Sequence, residues 1–286
     1  MFKCLDLHTH TNASDGNLTP TQLVKKAKQL GLSYLAKTDH DTIGLTVEFL
    51  NAGKKYKLHT IPGIEISAQF QNKSVHIVGL NINYQNKKII QYTKTYTHIR
   101  QIRSTKIISK LKKLGWHIDA KQLQRQLIGR PHMALAVIKH PQNKMRLKKE
   151  FGAIPRFGEF INAYITPGKS AYVPKSKHIS APDAINLIHQ VNGLAILAHP
   201  LTKSNEFNYS QQHLKNLLKL KFDGLEVYSS EHTLIEIKKL LLLAKKHKLL
   251  ISGGSDYHDP DNDLGKYNHR PLTTSLCQNL INVLNK

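Results

Sequence analysis

The stretch Leu5-Asp6-Leu7-His8-Thr9-His10 ends a largely apolar run, 2–7, with two histidines, and this pattern decides the predicted fold. Three further short apolar runs, 32–36, 193–197 and 249–252, also precede segments that contain histidine. Those segments are Thr38-Asp39-His40-Asp41, Ala198-His199-Pro200 and Ser255-Asp256-Tyr257-His258. Runs of this length fit buried strands, and active sites of parallel β/α folds lie at the carboxyl ends of strands. The pattern therefore predicts a metal site on a parallel β/α scaffold.

Three other charged or titratable positions strengthen this prediction. His8 and His10 alternate on a strand, so both side chains point to one face, and Asp15 follows on the next loop. Glu65 and His76 each interrupt an apolar strand-like segment, where an unpaired charge would be costly. A metal ion would satisfy both residues. A hydrogen bond between Glu65 and His76 across neighbouring strands is the alternative explanation.

Six motifs in chain order resemble those of the PHP (polymerase and histidinol phosphatase) family of metal-dependent phosphoesterases. They are Leu5-Asp6-Leu7-His8-Thr9-His10-Thr11, Thr38-Asp39-His40-Asp41-Thr42, Gly63-Ile64-Glu65-Ile66-Ser67, His76, Ala198-His199-Pro200 and Gly254-Ser255-Asp256-Tyr257-His258. The resemblance implies an α/β fold, a distorted (β/α)7 PHP barrel with a helical insertion. It is strongest to stand-alone members that act as nucleoside 3′,5′-bisphosphate phosphatases and as 5′ to 3′ exonucleases on short RNA. The segment Gly129-Arg130-Pro131-His132 carries that closer similarity.

The candidate metal ligands are too many for one ion and include no sulfur. They are His8, His10, Asp15, His40, Glu65, His76, His199, Asp256 and His258. Nitrogen and oxygen donors suit Mn²⁺, Fe²⁺ or Zn²⁺, so we expect two to three divalent ions, with manganese preferred. Three ions would place about six positive charges against three carboxylates. That surplus favours a phosphoester substrate and a hydroxide nucleophile that bridges the metals.

The resemblance also implies how the ligands are shared among the ions. The first ion would be held by His8, His10, Glu65 and Asp256. The second would be held by Glu65, His76 and His199, with Glu65 as a bridge. The third would be held by Asp15, His40 and His258, and these three residues with Glu65 are the expected catalytic residues. Asp39 and Asp41 flank His40 and are expected to orient it.

Arg130 is the expected reader of a second phosphate, because a guanidinium group can bind two phosphate oxygens at once. Its family counterpart lies in the insertion. His132 and His232 are further candidates for substrate binding, with plain structural roles as the alternative for both.

Charge is unevenly distributed along the chain. The sequence has 42 Lys and Arg against 19 Asp and Glu, a net charge of +23. Between Lys87 and Lys149 there are 17 basic residues and one acidic residue, Asp119. Such a segment attracts polyanions, which agrees with a nucleoside bisphosphate or short RNA as the binding partner. A solvated surface without a partner is the alternative.

The segment pattern predicts one barrel interrupted by helices. Residues 1–90 form the first part of the barrel, 91–170 a basic helical insertion, and 171–286 the second part. The 40% apolar content of the 286 residues is sufficient for a large core. The two cysteines, the longest apolar runs and the early Asp6 favour a soluble cytoplasmic protein with no membrane association and no obligate protein partner.

Two other functions remain compatible with the motifs. A histidinol-phosphate phosphatase would share the metal ligands but would need neither Arg130 nor a basic insertion. A PHP module that binds without catalysis, as within DNA polymerases, would be expected beside a polymerase-sized remainder and with an incomplete ligand set. The basic insertion with Arg130 argues against the first alternative. The complete ligand set and the absence of a polymerase-sized remainder argue against the second, so a phosphoester hydrolase acting on nucleotides or RNA is preferred.

Overall fold

The structure, a computed structural model, describes residues 4–123, 128–201, 209–258 and 263–285. Within these ranges the chain divides into two compact units, Met1–Thr93 together with His178–Lys286, and Lys94–Lys177. The first unit contains all of the strands. In chain order they are β1 (Cys4–Asp6), β2 (Leu32–Lys37), β3 (His59–Phe70), β4 (Lys73–Leu80), β5 (Ile179–Ser180), β6 (Leu194–Leu197), β7 (Gly224–Ser229), β8 (Leu250–Gly254), β9 (Lys266–Tyr267) and β10 (Arg270–Pro271).

Seven strands form one continuous sheet in the order β1-β2-β3-β4-β6-β7-β8, and β5 pairs with β3 beside this path. Strand β4 runs antiparallel to both β3 and β6, whereas the other neighbours in the path are parallel. The predicted distorted seven-stranded barrel is confirmed. The strands predicted at 32–36, 193–197 and 249–252 correspond to β2, β6 and β8.

The first and last strands of the path come together and nearly close the barrel. The backbone N–H of Leu7 donates to the Gly253 carbonyl at 3.1 Å, and Thr9 forms a parallel bridge with Tyr257. A Cβ atom on Gly254 would lie 2.2 Å from the Cβ of His8, so only glycine allows this approach. The closure brings the segment after β1 beside the segment after β8.

Helices of the first unit cover the barrel, and the first of them begins where the sequence Thr19-Pro20 predicts a cap followed by a proline at the first helical position. The Thr19 hydroxyl accepts a hydrogen bond from the Gln22 N–H, and the Gln22 side-chain oxygen accepts one from the Thr19 N–H. This capping box encloses Pro20, the first residue of the helix, whose ring fixes the backbone angle that a helix start requires. These helices are α1 (Pro20–Gln29), α2 (Thr46–Tyr56), α7 (Ala181–Gln190), α8 (Gln211–Leu217), α9 (Leu234–His247) and α10 (Gln278–Leu284). Their apolar faces pack on the sheet, as Leu23, Val24 and Ala27 of α1 do.

The second unit contains helices joined by loops, and no strand among its described residues, and it has its own core. Its helices are the distal part of α3 (Lys87–Lys113), then α4 (Arg130–Ile138), α5 (Lys144–Phe151) and α6 (Phe157–Tyr164). Trp116 and Phe160 meet edge to face at the centre of this core. The sequence predicts a helix at 120–127, where the structure has a short 3₁₀ turn, Ala120–Leu123, and the rest of that segment lies outside the described residues.

None of the helices in the described ranges combines the length and apolar content that a bilayer span requires.

Candidate metal centre

The predicted ligands lie at the carboxyl ends of the barrel strands, except Glu65 and His76, which lie within β3 and β4. His40 forms a parallel bridge with Glu65, which aligns the loop after β2 with the middle of β3. The His10 N–H donates to the Tyr257 carbonyl at 2.8 Å, which joins the loops after β1 and β8. Residues separated by up to 250 positions in the sequence are therefore neighbours.

The first group of ligand atoms consists of His8, His10, Glu65 and Asp256. Glu65 Oε2 lies 3.3 Å from Nε2 of both His8 and His10. Asp256 Oδ1 lies 3.4 Å from His8 Nε2 and 3.0 Å from His10 Nε2. The structure thus brings together the four residues that the sequence assigned to the first ion.

A second group surrounds the other side of Glu65. Its Oε1 lies 2.8 Å from His76 Nδ1 and 3.2 Å from His199 Nε2. His40 Nδ1 lies 2.9 Å from Glu65 Oε2, and the donor atoms of His40, Glu65 and His76 lie within 4.8 Å of one another. His40, which the prediction did not include, therefore belongs to this group, and His199 adjoins it through Glu65 Oε1. The cross-strand contact between Glu65 and His76 exists, but it is one of five that the Glu65 carboxylate makes with histidines.

The third group contains Asp15, His40 and His258, as predicted, and His10 in addition. Asp15 Oδ1 lies 3.4 Å from His258 Nε2 and 3.7 Å from His10 Nδ1. The His10 and His258 rings stack with their centroids 4.1 Å apart. His10 therefore has one ring nitrogen toward each of two groups.

The donor atoms of these groups are arranged to bind metal ions rather than to form hydrogen bonds with one another. His8 Nε2, both ring nitrogens of His10, Asp15 Oδ1, Glu65 Oε2 and Asp256 Oδ1 are buried and make no hydrogen bond of acceptable geometry with the described residues. Buried polar atoms in folded proteins nearly always have a partner. Close approach without hydrogen bonding is typical of atoms arranged around cations, so this cluster can bind metal ions.

Electrostatics in the cluster favour ionised carboxylates, but they favour a neutral imidazole only at His76. Burial raises the pKa of the Glu65 carboxyl, but the charges of His40, His76 and His8 hold that pKa well below its usual range. Burial lowers the pKa of His76 to about 4, which leaves its imidazole neutral near pH 7. Ionised carboxylates and neutral imidazoles are the forms that bind divalent ions. Despite burial, nearby carboxylates raise the pKa of His8, His10 and His199, and that of His258 to about 10, so these four imidazoles would release a proton when a metal ion binds.

Strained backbone occurs at two of the ligands. His199 has a φ of 25° and Asp256 a φ of 53°, values that residues other than glycine seldom adopt. Such strain persists only where surrounding contacts impose it, and it is common at functional sites. In this structure it places two side chains at the turns where β6 and β8 end.

The carboxylates of Asp39 and Asp41, which flank His40, accept hydrogen bonds that hold neighbouring segments in place. The Asp39 carboxylate accepts hydrogen bonds from the N–H and hydroxyl groups of Thr11 and Ser14, and it pairs with buried Lys37 at 2.8 Å. It therefore holds the loop that joins His10 to Asp15.

Asp41 links three elements at the other side of the same segment. Its carboxylate accepts from the Ser67 N–H at 2.9 Å and from the Tyr92 hydroxyl at 2.7 Å. Asp41 has a φ of 52°. It thus ties the loop after β2 to β3 and to the start of α3.

Two buried acidic residues next to the cluster were not predicted as functional. Asp6 accepts hydrogen bonds from the Ser255 N–H and hydroxyl and from the Gly265 N–H, and burial raises its pKa to about 6. Glu226 contacts both His8 and the backbone of His199. The signal for Glu226 was available, because it is a lone acid within the apolar strand β7, as Glu65 is within β3.

The predicted substrate residues are placed differently from the ligands. His132 is buried and its Nδ1 accepts from the Gly129 N–H at 3.1 Å, which caps the start of α4. His232 is buried and its Nδ1 bonds the Val227 carbonyl at 3.0 Å. These contacts support the structural alternative for both histidines. Arg130 is the first residue of α4, in the second unit, and its role stays a prediction.

Comparisons with known proteins agree with this geometry. The family model described as PHP domain matches residues 6–145. A 5′-3′ exoribonuclease of Haemophilus influenzae is 33% identical over 263 residues, which cover 91% of this chain and 92% of that protein. A 3′,5′-nucleoside bisphosphate phosphatase of Chromobacterium violaceum is 28% identical over 284 residues, 96% of this chain and 94% of that protein.

A solved structure from Bifidobacterium adolescentis, to which metal-dependent phosphoesterase activity has been attributed, superposes with a TM-score of 0.81. It is 26% identical and the match covers 98% of this chain and 96% of that one. The chain belongs to the PHP family of metal-dependent phosphoesterases. Like the relatives named above, it is a hydrolase of phosphoester bonds.

Proposed function

We propose that this protein removes the 3′-phosphate from nucleoside 3′,5′-bisphosphates and releases nucleotides from the 5′ end of short 5′-phosphorylated RNA. The observation that carries the proposal is the convergence of nine histidine and carboxylate side chains at one end of the barrel. The relatives named above, an exoribonuclease and a bisphosphate phosphatase, supply the substrate class.

The proposed cofactors are two to three divalent ions, with manganese preferred and iron or zinc as alternatives. The absence of sulfur from the ligand set supports this choice. When bound, the ions supply Lewis acidity, which activates a water, polarises the phosphoryl oxygens and stabilises the leaving alkoxide. Glu65 would bridge two ions, because its Oε2 faces His8 and His10 of the first group and its Oε1 faces His76 and His199.

The protein's own residues would orient the reacting groups. Asp15, His40 and His258 converge in the third group, where Asp15 Oδ1 and His258 Nε2 are 3.4 Å apart. Partly exposed His258 and Asp256 are the ligands of the cluster most accessible to an incoming phosphate. Fully buried His8, His10 and Glu65 exclude water from the opposite side.

A cytoplasmic location belongs to the proposal and is supported by two cysteines that form no disulfide, Cys4 and Cys277.

A phosphate-release panel tests the substrate class. We expect adenosine 3′,5′-bisphosphate and short 5′-phosphorylated RNA to be hydrolysed with much higher kcat/KM than histidinol phosphate. Preference for histidinol phosphate would contradict the proposal. The relatives reported above lend that alternative no support.

Arg130 is proposed to bind the 5′-phosphate while the metal cluster holds the 3′-phosphate. In RNA the first internucleotide phosphodiester would take the place of the 3′-phosphate. Support comes from the bidentate geometry of arginine and from the position of Arg130 at a helix start with no acidic residue in its first turn.

Arg130→Ala is expected to lower kcat/KM for both substrates by something like 10²-fold. That factor follows from the roughly 1.5–3 kcal/mol of a hydrogen bond to a charged group. Metal content should not change, and p-nitrophenyl phosphate, which has no second phosphate, should be hydrolysed at nearly the parental rate. Arg156→Ala, an exposed arginine of the same unit, is the matched control. Equal damage to all substrates would mean that Arg130 does not measure the distance between two phosphates.

The basic segment 87–149 is proposed to attract RNA through its charge. Apparent affinity for an RNA oligonucleotide should therefore weaken steeply with added salt, whereas a mononucleotide should respond less. Replacing exposed Lys112 and Lys113 together with alanine should reduce the slope of log affinity against log salt by about one unit per lysine. The control is the same replacement of exposed Lys245 and Lys246 in α9. Equal slopes for oligonucleotide and mononucleotide would show that the charge only solvates the surface.

A further inference from the structure

Glu226 is a buried carboxylate beside the metal centre that belongs to none of the metal-binding groups among the described residues. It lies in β7 and pairs in register with Ser252 of β8. Only 2% of its surface is exposed. A buried carboxylate is costly unless its oxygens accept hydrogen bonds, so its partners indicate its purpose.

The Glu226 carboxylate contacts two residues that are predicted metal ligands, His8 and His199. Its Oε1 and Oε2 lie 3.1 and 3.3 Å from His8 Nδ1. Its Oε2 also accepts the backbone N–H of His199 at 2.7 Å. His8 and His199 come from the ends of β1 and β6, so one side chain of β7 controls two strand ends.

The contact with His8 selects one tautomer. A carboxylate only accepts hydrogen bonds, so His8 must carry its proton on Nδ1. Its Nε2 then has a free lone pair, and Nε2 is the atom that faces Glu65 and Asp256 at 3.3 and 3.4 Å. Metal-bound histidines commonly have a carboxylate partner on the other nitrogen, which fixes the ring and increases its basicity.

The contact with His199 restrains a strained turn. The φ of His199 is 25°, an unfavourable value for a residue with a side chain. The hydrogen bond from its N–H to Glu226 stabilises this conformation, in which His199 Nε2 lies 3.2 Å from Glu65 Oε1. Without the bond, the turn could relax and move the imidazole away from Glu65.

We propose that Glu226 is a positioning residue that sets ligands of two different ions at once, His8 for the first and His199 for the second. This inference rests on the multinuclear centre of the proposed function. The third group, with Asp15, His40 and His258, contains neither of these histidines. Glu226 therefore affects two ions and leaves the third unchanged.

Glu226→Gln tests this selectivity. Glutamine has nearly the same shape but no negative charge, so the hydrogen bonds from both His8 and His199 lose their charged acceptor, and the amide –NH₂ cannot accept from the donor that it faces. Titration of metal-depleted protein with Mn²⁺ should show two binding events weakened by about 10–100-fold and one unchanged. Glu231→Gln, an exposed glutamate shortly after the same strand, is the control and should match the parent.

The outcomes separate this inference from the proposed function. If the parent binds two or three ions and Glu226→Gln binds them equally well, or if the parent binds three ions and the variant weakens all three equally, the inference is overturned and the proposed function stands. If the parent binds one ion or none, the proposed function fails and the inference fails with it.

A second measurement needs no variant and therefore does not depend on folding of the mutant. In Zn²⁺-loaded parent protein with ¹⁵N-labelled histidine, NMR of the ring nitrogens should show His8 protonated at Nδ1 and without a proton at Nε2. A proton on Nε2 would overturn the inference, because Glu226 would then not determine the tautomer.

Discussion

Glu65→Gln is expected to lower kcat/KM on nucleoside bisphosphate and RNA substrates by on the order of 10³-fold, the equivalent of the several kcal/mol that metal ions contribute to a transition state. The Glu65 carboxylate contacts five histidines at 2.8–3.3 Å and belongs to two of the three groups. Glutamine removes the negative charge and one of the two acceptor oxygens. Buried histidine ligands would then lack their shared counter-charge, and metal content should fall with activity.

Steady-state kinetics and elemental analysis of the same preparations check this expectation. Glu48→Gln is a suitable control, because Glu48 lies in α2 of the same unit and its carboxylate bonds Thr21. The control should stay within about twofold of the parent. Parental activity and metal content in Glu65→Gln would show that the carboxylate does not bridge ions.

Removal of metal by a chelator is expected to abolish activity, and Mn²⁺ is expected to restore it. The three groups of buried nitrogen and oxygen donors predict two to three ions per chain in purified protein. Without the ions the water would lack the Lewis acid that activates it, because the acids and imidazoles of the cluster are expected to act as ligands.

Elemental analysis before and after chelation, together with the rate recovered on adding Mn²⁺, measures this dependence. Circular dichroism of the chelated protein is the control, since loss of activity through unfolding must be separated from loss of metal. A fully active preparation with one ion or none would refute the multinuclear centre.

Much of the site could be predicted because each ligand stands out locally. His8 and His10 alternate on a strand, and Glu65 and His76 are polar residues within apolar segments. Side-chain direction in a strand follows from the two-residue period alone. The long helix α3 was also predictable, since its apolar positions recur over many turns. The sequence pattern predicts a helix from about Tyr92 to Leu114, and the structure has it from Lys87 to Lys113.

Elements with weak local signals were missed. Helix α5 (Lys144–Phe151) has four basic residues among eight and only a short apolar face, so its sequence resembles a solvated loop. The paired strands β9 (Lys266–Tyr267) and β10 (Arg270–Pro271) have two residues each, too few for any periodicity. Their conformation depends on neighbours that are distant in the chain.

The division of ligands among groups required the folded protein. His40 reaches both Glu65 and Asp15, and His10 has a nitrogen in each of two groups. The family resemblance assigned each histidine to one ion, because a motif names residues and does not specify the directions of ring nitrogens. Those directions depend on backbone angles such as the positive φ of Asp256 and on the close approach of Gly254 to His8.

Periodicity, residue chemistry and the family resemblance were enough to predict the class of fold, nine candidate ligands and the phosphoester chemistry, because these depend on residue type and short-range spacing. The role of Glu226 and the register that brings His8 beside Asp256 emerged from strand pairing between residues far apart in the chain. Local patterns cannot encode such pairing, since it follows from packing of the whole barrel and from the requirement that each buried polar group find a partner.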